Sequence, residues 1–447
     1  MDLKHYHKKR CSSTSFQTIF LGFFCVILVG AILLALPFSS RSGTFTPFSD
    51  ALFTATSAVC VTGLVIYDTA TYWSTFGQGV ILLLIQIGGM GVITLTMSIA
   101  VISGRKIGLF QRSTMQNSIS APQVGGIVRL TGFILKGILL IEGIGAALLS
   151  LVFIPEFGVG KGIWYGVFHS ISAFCNAGFD LMGVKQPFSS LTGYAADPIV
   201  NLTIMSLIVI GGVGFLTWDD VKTHRFHFQK YRMQSRVILI VTAFLIFGGA
   251  AYFYFFEFGD LPLGERILCS LFQSVTPRTA GFNTVDLNTL SETGQLLLVI
   301  LMIIGGSPGS TAGGVKTTTL AVIIAVATAV FTRQEEPYLL KRRIPSEAVR
   351  NAATILMMYI VLFITGAMII SHVEGLPILS TLLETSSAIG TVGLSLGITP
   401  QLSLVSHLVL IFLMFFGRVG GLTIIFAAVA PRRSSSRKYP HAKITVG

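Results

Sequence analysis

The chain has 447 residues, of which 52% are hydrophobic and only 11% charged, with a mean hydropathy of +0.77. That composition excludes a string of soluble domains and points to a multi-pass membrane protein. The net charge of +12 would raise nucleic-acid binding in a soluble chain, but the loop charges below account for it, and no nucleic-acid partner is expected.

Lys4, Lys8, Lys9 and Arg10 lie in a short N-terminal stretch (1–15) ahead of the apolar run Phe16–Leu36. This run is too long for a signal-peptide core and lacks a small-residue cleavage pattern, so it reads as the first span, stopped by Pro37. Pro47–Cys60 is too short to cross and leads into Val61-Thr62-Gly63-Leu64. Phe76–Ile102 then crosses back, with Gly88, Gly89 and Gly91 permitting close packing or a bend.

The same plan recurs three times. The second unit (127–218) has a span over Ile127–Ile154, a half-helix at Gly162–Phe174, the loop Asn176-Ala177-Gly178-Phe179 and a span over Pro198–Trp218. The third (236–331) has Arg236–Phe258, Leu263–Val275, the loop Thr279-Ala280-Gly281-Phe282 and a long span from Gly294 to Phe331. The fourth (348–430) has Ala348–His372, Pro377–Ile389, the loop Thr391-Val392-Gly393-Leu394 and Ser403–Ala430, before a tail at 431–447. Eight spans and four re-entrant segments fit a hydrocarbon core of roughly 30 Å crossed by about 20 helical residues. The fold class is therefore all-α integral membrane: four tandem span–half-helix–span units around a central pore. A period near 110 residues, repeated four times, marks a repeat architecture.

Loop charge sets the orientation. The segments 1–15, 103–127, 219–235, 332–350 and 431–447 together hold 21 Lys and Arg, whereas the opposite side holds five. By the positive-inside bias both termini are cytoplasmic and the glycine loops face outward.

Irregular backbone at membrane depth is tolerated only where it is buried in protein or lines an aqueous path. Glycine lets carbonyls turn to a common axis, and a ring of carbonyls can replace the water shell of a monovalent cation. The half-helix C-termini add partial negative charge that favours cations. Asp68, Asp180 and Asp286 follow the first three glycines; they can concentrate cations at the mouth or stand as solvated loop acids. The five cysteines show no CxxC pair or metal spacing, and Cys60, Cys175 and Cys269 read as packed thiols.

With the four loops VTGL, NAGF, TAGF and TVGL, the chain resembles the Trk/Ktr/HKT superfamily of cation transporters. Its length, its eight spans, and the motifs Pro277-Arg278-Thr279-Ala280-Gly281-Phe282-Asn283 and Phe416-Gly417-Arg418 resemble the ion-translocating subunit of bacterial Ktr potassium uptake systems. The resemblance implies a plasma-membrane homodimer, each protomer with its own pore, on a cytoplasmic ring of RCK-domain (KtrA/KtrC-type) regulatory subunits that carry the nucleotide. It implies K+ transport, often stimulated by Na+, with no cofactor in this chain. In plant relatives serine at the first filter glycine goes with Na+; Gly63 here favours K+. The filter residues it implies are Val61, Thr62, Gly63, Asn176, Ala177, Gly178, Thr279, Ala280, Gly281, Thr391, Val392 and Gly393.

Gly305-Gly306-Ser307-Pro308-Gly309-Ser310-Thr311-Ala312-Gly313-Gly314-Val315-Lys316-Thr317 interrupts the longest span, where a continuous helix should not survive. Val315 separates Gly314 from Lys316 and no strand precedes, so the segment fails as a phosphate-binding loop. It reads as a break lining the cavity below the filter, matching the family's intramembrane gating loop, or as a packing kink. Lys316 and Arg418 lie inside spans, where charges usually face the bundle interior or water. An arginine opposes cation flow, which suits the gate role the family assigns Arg418; the alternative is snorkelling to the headgroups. Glu142 needs a hydrogen-bonding partner on another helix, and His169 reads as packed or hydrogen-bonded rather than as a metal ligand. The basic stretches Lys341-Arg342-Arg343 and Arg432-Arg433 should contact the regulatory ring the resemblance implies or else anionic lipid headgroups.

Three function classes compare. A channel-like cation uptake protein has outer filter loops and few intramembrane carboxylates. An ion-coupled secondary transporter would show paired intramembrane acids and inverted or paired repeats. A membrane enzyme would show a catalytic constellation, and none is visible. The first reading is adopted; a Na+ or non-selective transporter is the alternative.

Overall fold

The computed structural model describes residues 15–91, 112–114, 116 and 126–428. Expectations that fall on 1–14, 92–102 and 429–447, including the distal part of the second span and the tail, lie outside the described residues.

Each unit opens with one long apolar helix. In chain order these are α1 (Ser15–Ala35), α4 (Ile127–Phe157), α8 (Met233–Tyr252, continued by a π turn to Glu257) and α12 (Ser346–Glu374). Among the described residues these four are the single helices long and apolar enough to cross a membrane. Each is followed by a half-helix: α2 (Phe48–Val59), α5 (Val159–Phe174), α9 (Leu263–Val275) and α13 (Ile378–Gly390). Pro47, Pro262 and Pro377 precede three of them, where a fixed φ and a missing N–H suit the start of a helix.

The returning helix is interrupted in the second, third and fourth units, whereas the sequence indicates an interruption in the third alone. The third breaks as expected, into α10 (Glu292–Ile303) and α11 (Thr317–Phe331). The second stops as α6 (Pro198–Gly212) and resumes as α7 (Phe215–His224), bent by 96° about Gly214, which has φ +88°. The fourth divides into α14 (Leu404–Val419) and α15 (Gly421–Ala428) at Gly420, φ +89°. Pro198–Trp218 and Ser403–Ala430 are thus not continuous helices. In the first unit α3 (Thr75–Met90) ends at Gly91, φ +81°, the last described residue of that stretch. The bend at Gly214 also carries a tertiary contact. A Cβ there would stand 2.7 Å from the Pro308 carbonyl oxygen, so the third unit's interrupted segment packs against the bend and leaves no room for a side chain.

The half-helices sit at the centre. Phe53, Phe168 and Phe272 are fully buried, as are Ser57, Ser172 and Ser387. The apolar side chains exposed on α1, α4, α8 and α12, such as Val29, Leu140, Phe244 and Met368, lie on the outer helices, where lipid rather than water can solvate them.

Candidate functional site: the glycine ring and the segment beneath it

Four half-helices bring four loops to one point. Each loop starts with a residue in the left-handed region: Val61 (φ 51°), Asn176 (58°), Thr279 (73°) and Thr391 (52°). Such a conformation costs roughly 1–3 kcal/mol outside glycine and clusters at functional sites. Backbone bonds hold it. The N–H groups of Thr62, Ala177 and Val392 donate to the carbonyls of Ser57, Ser172 and Ser387 at 2.7, 2.8 and 2.8 Å, while Ala280 donates to Thr276 at 3.0 Å. The hydroxyls of the half-helices complete the brace, and they do so in two ways. Ser57 and Ser387 accept the N–H of Gly63 and Gly393, each at 3.0 Å. Ser172 and Thr276 instead donate to the carbonyls of Phe179 and Phe282, each at 2.7 Å.

The glycines then close a ring. A Cβ built on Gly63 would lie 2.5 Å from the Ala177 carbonyl oxygen and 3.1 Å from the Gly178 Cα. On Gly178 it would meet Ala280 O at 2.6 Å and the Gly281 Cα at 3.1 Å; on Gly281, Val392 O at 2.1 Å and the Gly393 Cα at 3.2 Å. On Gly393 it would meet Thr62 O at 2.2 Å and the Gly63 Cα at 2.9 Å, returning to the start. Real Cβ contacts under 3.0 Å essentially do not occur, so all four positions require glycine, each also having φ between +70° and +95°. The twelve loop residues expected from the sequence therefore stand together.

Outside the ring lies a cavity of about 710 Å³ lined by all four glycines and by Asp68, Asp180 and Asp286. The three acids differ. Asp68 accepts from the N–H groups of Ala70, Thr71 and Phe188 and from the Thr71 hydroxyl, at 2.8–3.1 Å, so it ties the first loop to the second. Asp286 is exposed and accepts the N–H of Asn288 at 2.9 Å. Burial, aided by the neighbouring Asp68 charge, pushes the Asp180 carboxyl up to about 7 against the lowering hydrogen bond from Met182 N–H.

Beneath the ring runs the interrupted segment. Its ends are zipped together, Gly305 N–H to Val315 O at 2.9 Å and Val315 N–H to Ile303 O at 3.1 Å. The intervening residues lean on the bent second-unit helix. The N–H groups of Ser307 and Thr311 donate to the carbonyls of Gly212 and Gly211 at 3.0 and 3.2 Å, and Gly309 O accepts from Phe215 N–H at 2.8 Å. A Cβ on Gly313 would lie 2.2 Å from the Thr391 hydroxyl, which puts the segment directly against the fourth loop. Lys316 Nζ donates back to Ala312 O at 2.7 Å and Gly313 O at 3.2 Å. A cavity of about 330 Å³ opens below, lined among others by Pro308, Ser310, Gly314, Lys316, Gly91 and Arg418.

Arg418 does not snorkel. Its guanidinium donates to Thr311 O on the segment and to Gly88 O and Gly89 O on α3, the last at 3.1 Å. Glu142 finds the partner it needs in Gln86, whose Nε2 donates at 3.2 Å. His169 is held between Tyr165 O (2.7 Å) and Leu181 N–H (3.2 Å), so its Nδ1 donates, its Nε2 accepts and it is no metal ligand. Cys60, Cys175 and Cys269 are buried free thiols.

Of the glycines that seat the returning helices, the sequence indicates close packing at Gly88, but sequence reasoning missed this role for Gly211 and Gly417. A Cβ on Gly88, Gly211 or Gly417 would lie 2.0–2.1 Å from the carbonyl oxygen of Val59, Phe174 or Ile389, each at the end of its own unit's half-helix. The signal was present as a spacing: each stands three residues before a glycine of positive φ, Gly91, Gly214 or Gly420.

The family described as TrkH, cation transport protein, matches residues 2–438. The chain is 41% identical to the potassium/sodium uptake protein NtpJ of Enterococcus hirae, over 100% of this chain and 99% of that one. It is 37% identical to the Ktr system potassium uptake protein B of Bacillus subtilis, over 96% of each. Its fold is similar to the crystal structure of the potassium transporter TrkH from Vibrio parahaemolyticus, with a TM-score of 0.74 at 19% identity over 95% of this chain and 87% of that one. By sequence and fold, this chain belongs to the TrkH/Ktr family of cation transport proteins, multi-pass membrane transporters rather than enzymes.

Proposed function

We propose that this chain takes up K+ across the bacterial plasma membrane through the four-loop glycine ring, acting as the selectivity filter, with the segment Gly305–Gly314 and Arg418 as its gate. The observation that carries this reading is the closed cyclic contact of Gly63, Gly178, Gly281 and Gly393, since only a closed ring lets four sets of carbonyls face one ion. A naked ion cannot enter a low-dielectric interior without such ligands. K+ as the cargo is supported by relatives named for potassium uptake; the Enterococcus relative is named for potassium and sodium together, which makes Na+ a second ion that competes with or stimulates uptake. Relatives named as parts of a Ktr system support a multi-component assembly; that it is a homodimer on a cytoplasmic RCK ring carrying the nucleotide is what the resemblance to that family implies. The positive-inside count supports cytoplasmic termini.

The test is uptake of radiolabelled K+ and Na+ in cells lacking their own systems, with and without an RCK partner. Saturable K+ uptake that exceeds Na+ uptake and rises with the partner supports the reading. Equal passage of both ions, independent of any partner, refutes it.

A further inference from the structure

The fourth half-helix carries a carboxylate where the other three carry none. Nine residues before each ring glycine stand Thr54, His169, Phe272 and Glu384. The Thr54 hydroxyl is tied to Asp50 O at 3.0 Å, His169 is neutral by its two hydrogen bonds, and Phe272 has nothing to ionise. Glu384 is fully buried. One oxygen, Oε1, accepts from the Thr399 hydroxyl; the other, Oε2, has no partner. Among the described residues no lysine, arginine or histidine forms an ion pair with it. A buried carboxylate with a free oxygen and no counter-charge must take up a proton or recruit a cation.

The surroundings favour a cation. Thr399 Oγ1 lies 3.2 Å from Ser395 Oγ, and both residues line the same outer cavity as the four glycines. Ser395 comes two residues after Gly393, and its Oγ accepts Gly397 N–H at 2.9 Å. His407 Nε2 meets Thr399 O at 2.9 Å, fixing the backbone that presents the hydroxyl. The donors are hard oxygens, one charged and two neutral, which suit a hard cation held by oxygen ligands, and a single charge is what one carboxylate balances. We propose that Glu384, Ser395 and Thr399 form an alkali-cation site on the fourth-unit side of the mouth, which loads the glycine ring from that side. The site rests on the uptake reading above and adds to it an off-axis ligand set that the fourfold repeat does not contain.

The experiment compares K+ uptake kinetics and Na+ competition for the wild type, Glu384→Gln, Glu384→Asp, Thr399→Val and Gly178→Ser at equal membrane abundance. Gln keeps an acceptor for Thr399 and removes only the charge. The site requires Glu384→Gln to raise the KM for K+ about tenfold, a loss of binding rather than of turnover, with maximal rate nearly kept. Glu384→Asp should restore most of the affinity, and Thr399→Val should raise KM with the carboxylate in place. An unchanged KM in both Glu384→Gln and Thr399→Val overturns the site. If Glu384→Gln fails to reach the membrane, Thr399→Val alone decides: a raised KM supports the site and a wild-type KM overturns it. Gly178→Ser separates the two readings. If it loses affinity while the Glu384 and Thr399 variants do not, this site alone falls; if it too behaves as wild type, the uptake reading falls with it.

Discussion

Arg418, on α14, hydrogen bonds through its guanidinium to the backbone carbonyl of Thr311, in the middle of the interrupted third-unit span. The same guanidinium reaches Gly88 O and Gly89 O on α3, so one side chain straps the segment to two other units. Arginine suits this role because its planar fork serves several acceptors at once.

Replacing Arg418 with Ala should free the segment and remove a positive charge from the proposed ion path. Hydrogen bonds to a charged group are worth roughly 1.5–3 kcal/mol each, so K+ flux is expected to rise several-fold. Arg418→Lys should also raise it, since an ammonium keeps the charge without the fork. Flux measured in cells at matched abundance checks both; a fall in flux for Arg418→Ala would mark the residue as a structural strut.

Deleting Ser310–Gly314 should raise K+ flux more than Arg418→Ala does and reduce its dependence on a regulatory partner, with K+ still preferred over Na+. The deletion removes the Thr311 contacts to Gly211 O and Phe174 O and the Gly313 approach to Thr391. It leaves the brace of the fourth loop, from Val392 N–H to Ser387 O, untouched. A variant that inserts normally yet conducts no faster would identify the segment as a packing kink.

Uptake should depend on external pH through Asp180. Its carboxyl is raised to about 7, so the charge is present above that pH and lost as pH falls through it. Apparent K+ affinity should therefore weaken as external pH drops through that value. Asp180→Asn should show the weaker affinity on both sides of it. A wild-type pH profile in the Asn variant would exclude Asp180 as the titrating group.

Much of this arrangement was legible in the chain. The four loops, their half-helices and the third-unit interruption announce themselves, because glycine runs and hydroxyl-rich short helices are local features. The breaks at Gly214 and Gly420 were not, since a single glycine in an apolar helix reads equally as a close contact. At Gly214 the Pro308 carbonyl, from a different unit, leaves no room for a side chain, a contact that no local pattern announces. The same holds for partners: Gln86 for Glu142, and backbone carbonyls for Arg418, are set by which helices the four units bring together. Glu384 reads as one acid in a polar helix until the structure leaves its Oε2 unpaired.

The central claim is that the ring of Gly63, Gly178, Gly281 and Gly393 is the ion's path, and labelled K+ uptake by the four single Gly→Ser variants tests it most directly. At each position a Cβ would fall 2.1–2.6 Å from a neighbouring loop's carbonyl oxygen, displacing the group proposed to face the ion. Each variant should lose apparent K+ affinity, by about tenfold or more for a shift of about 1.4 kcal/mol or greater, and discriminate less against Na+. Four variants that reach the membrane and take up K+ with wild-type affinity would contradict it.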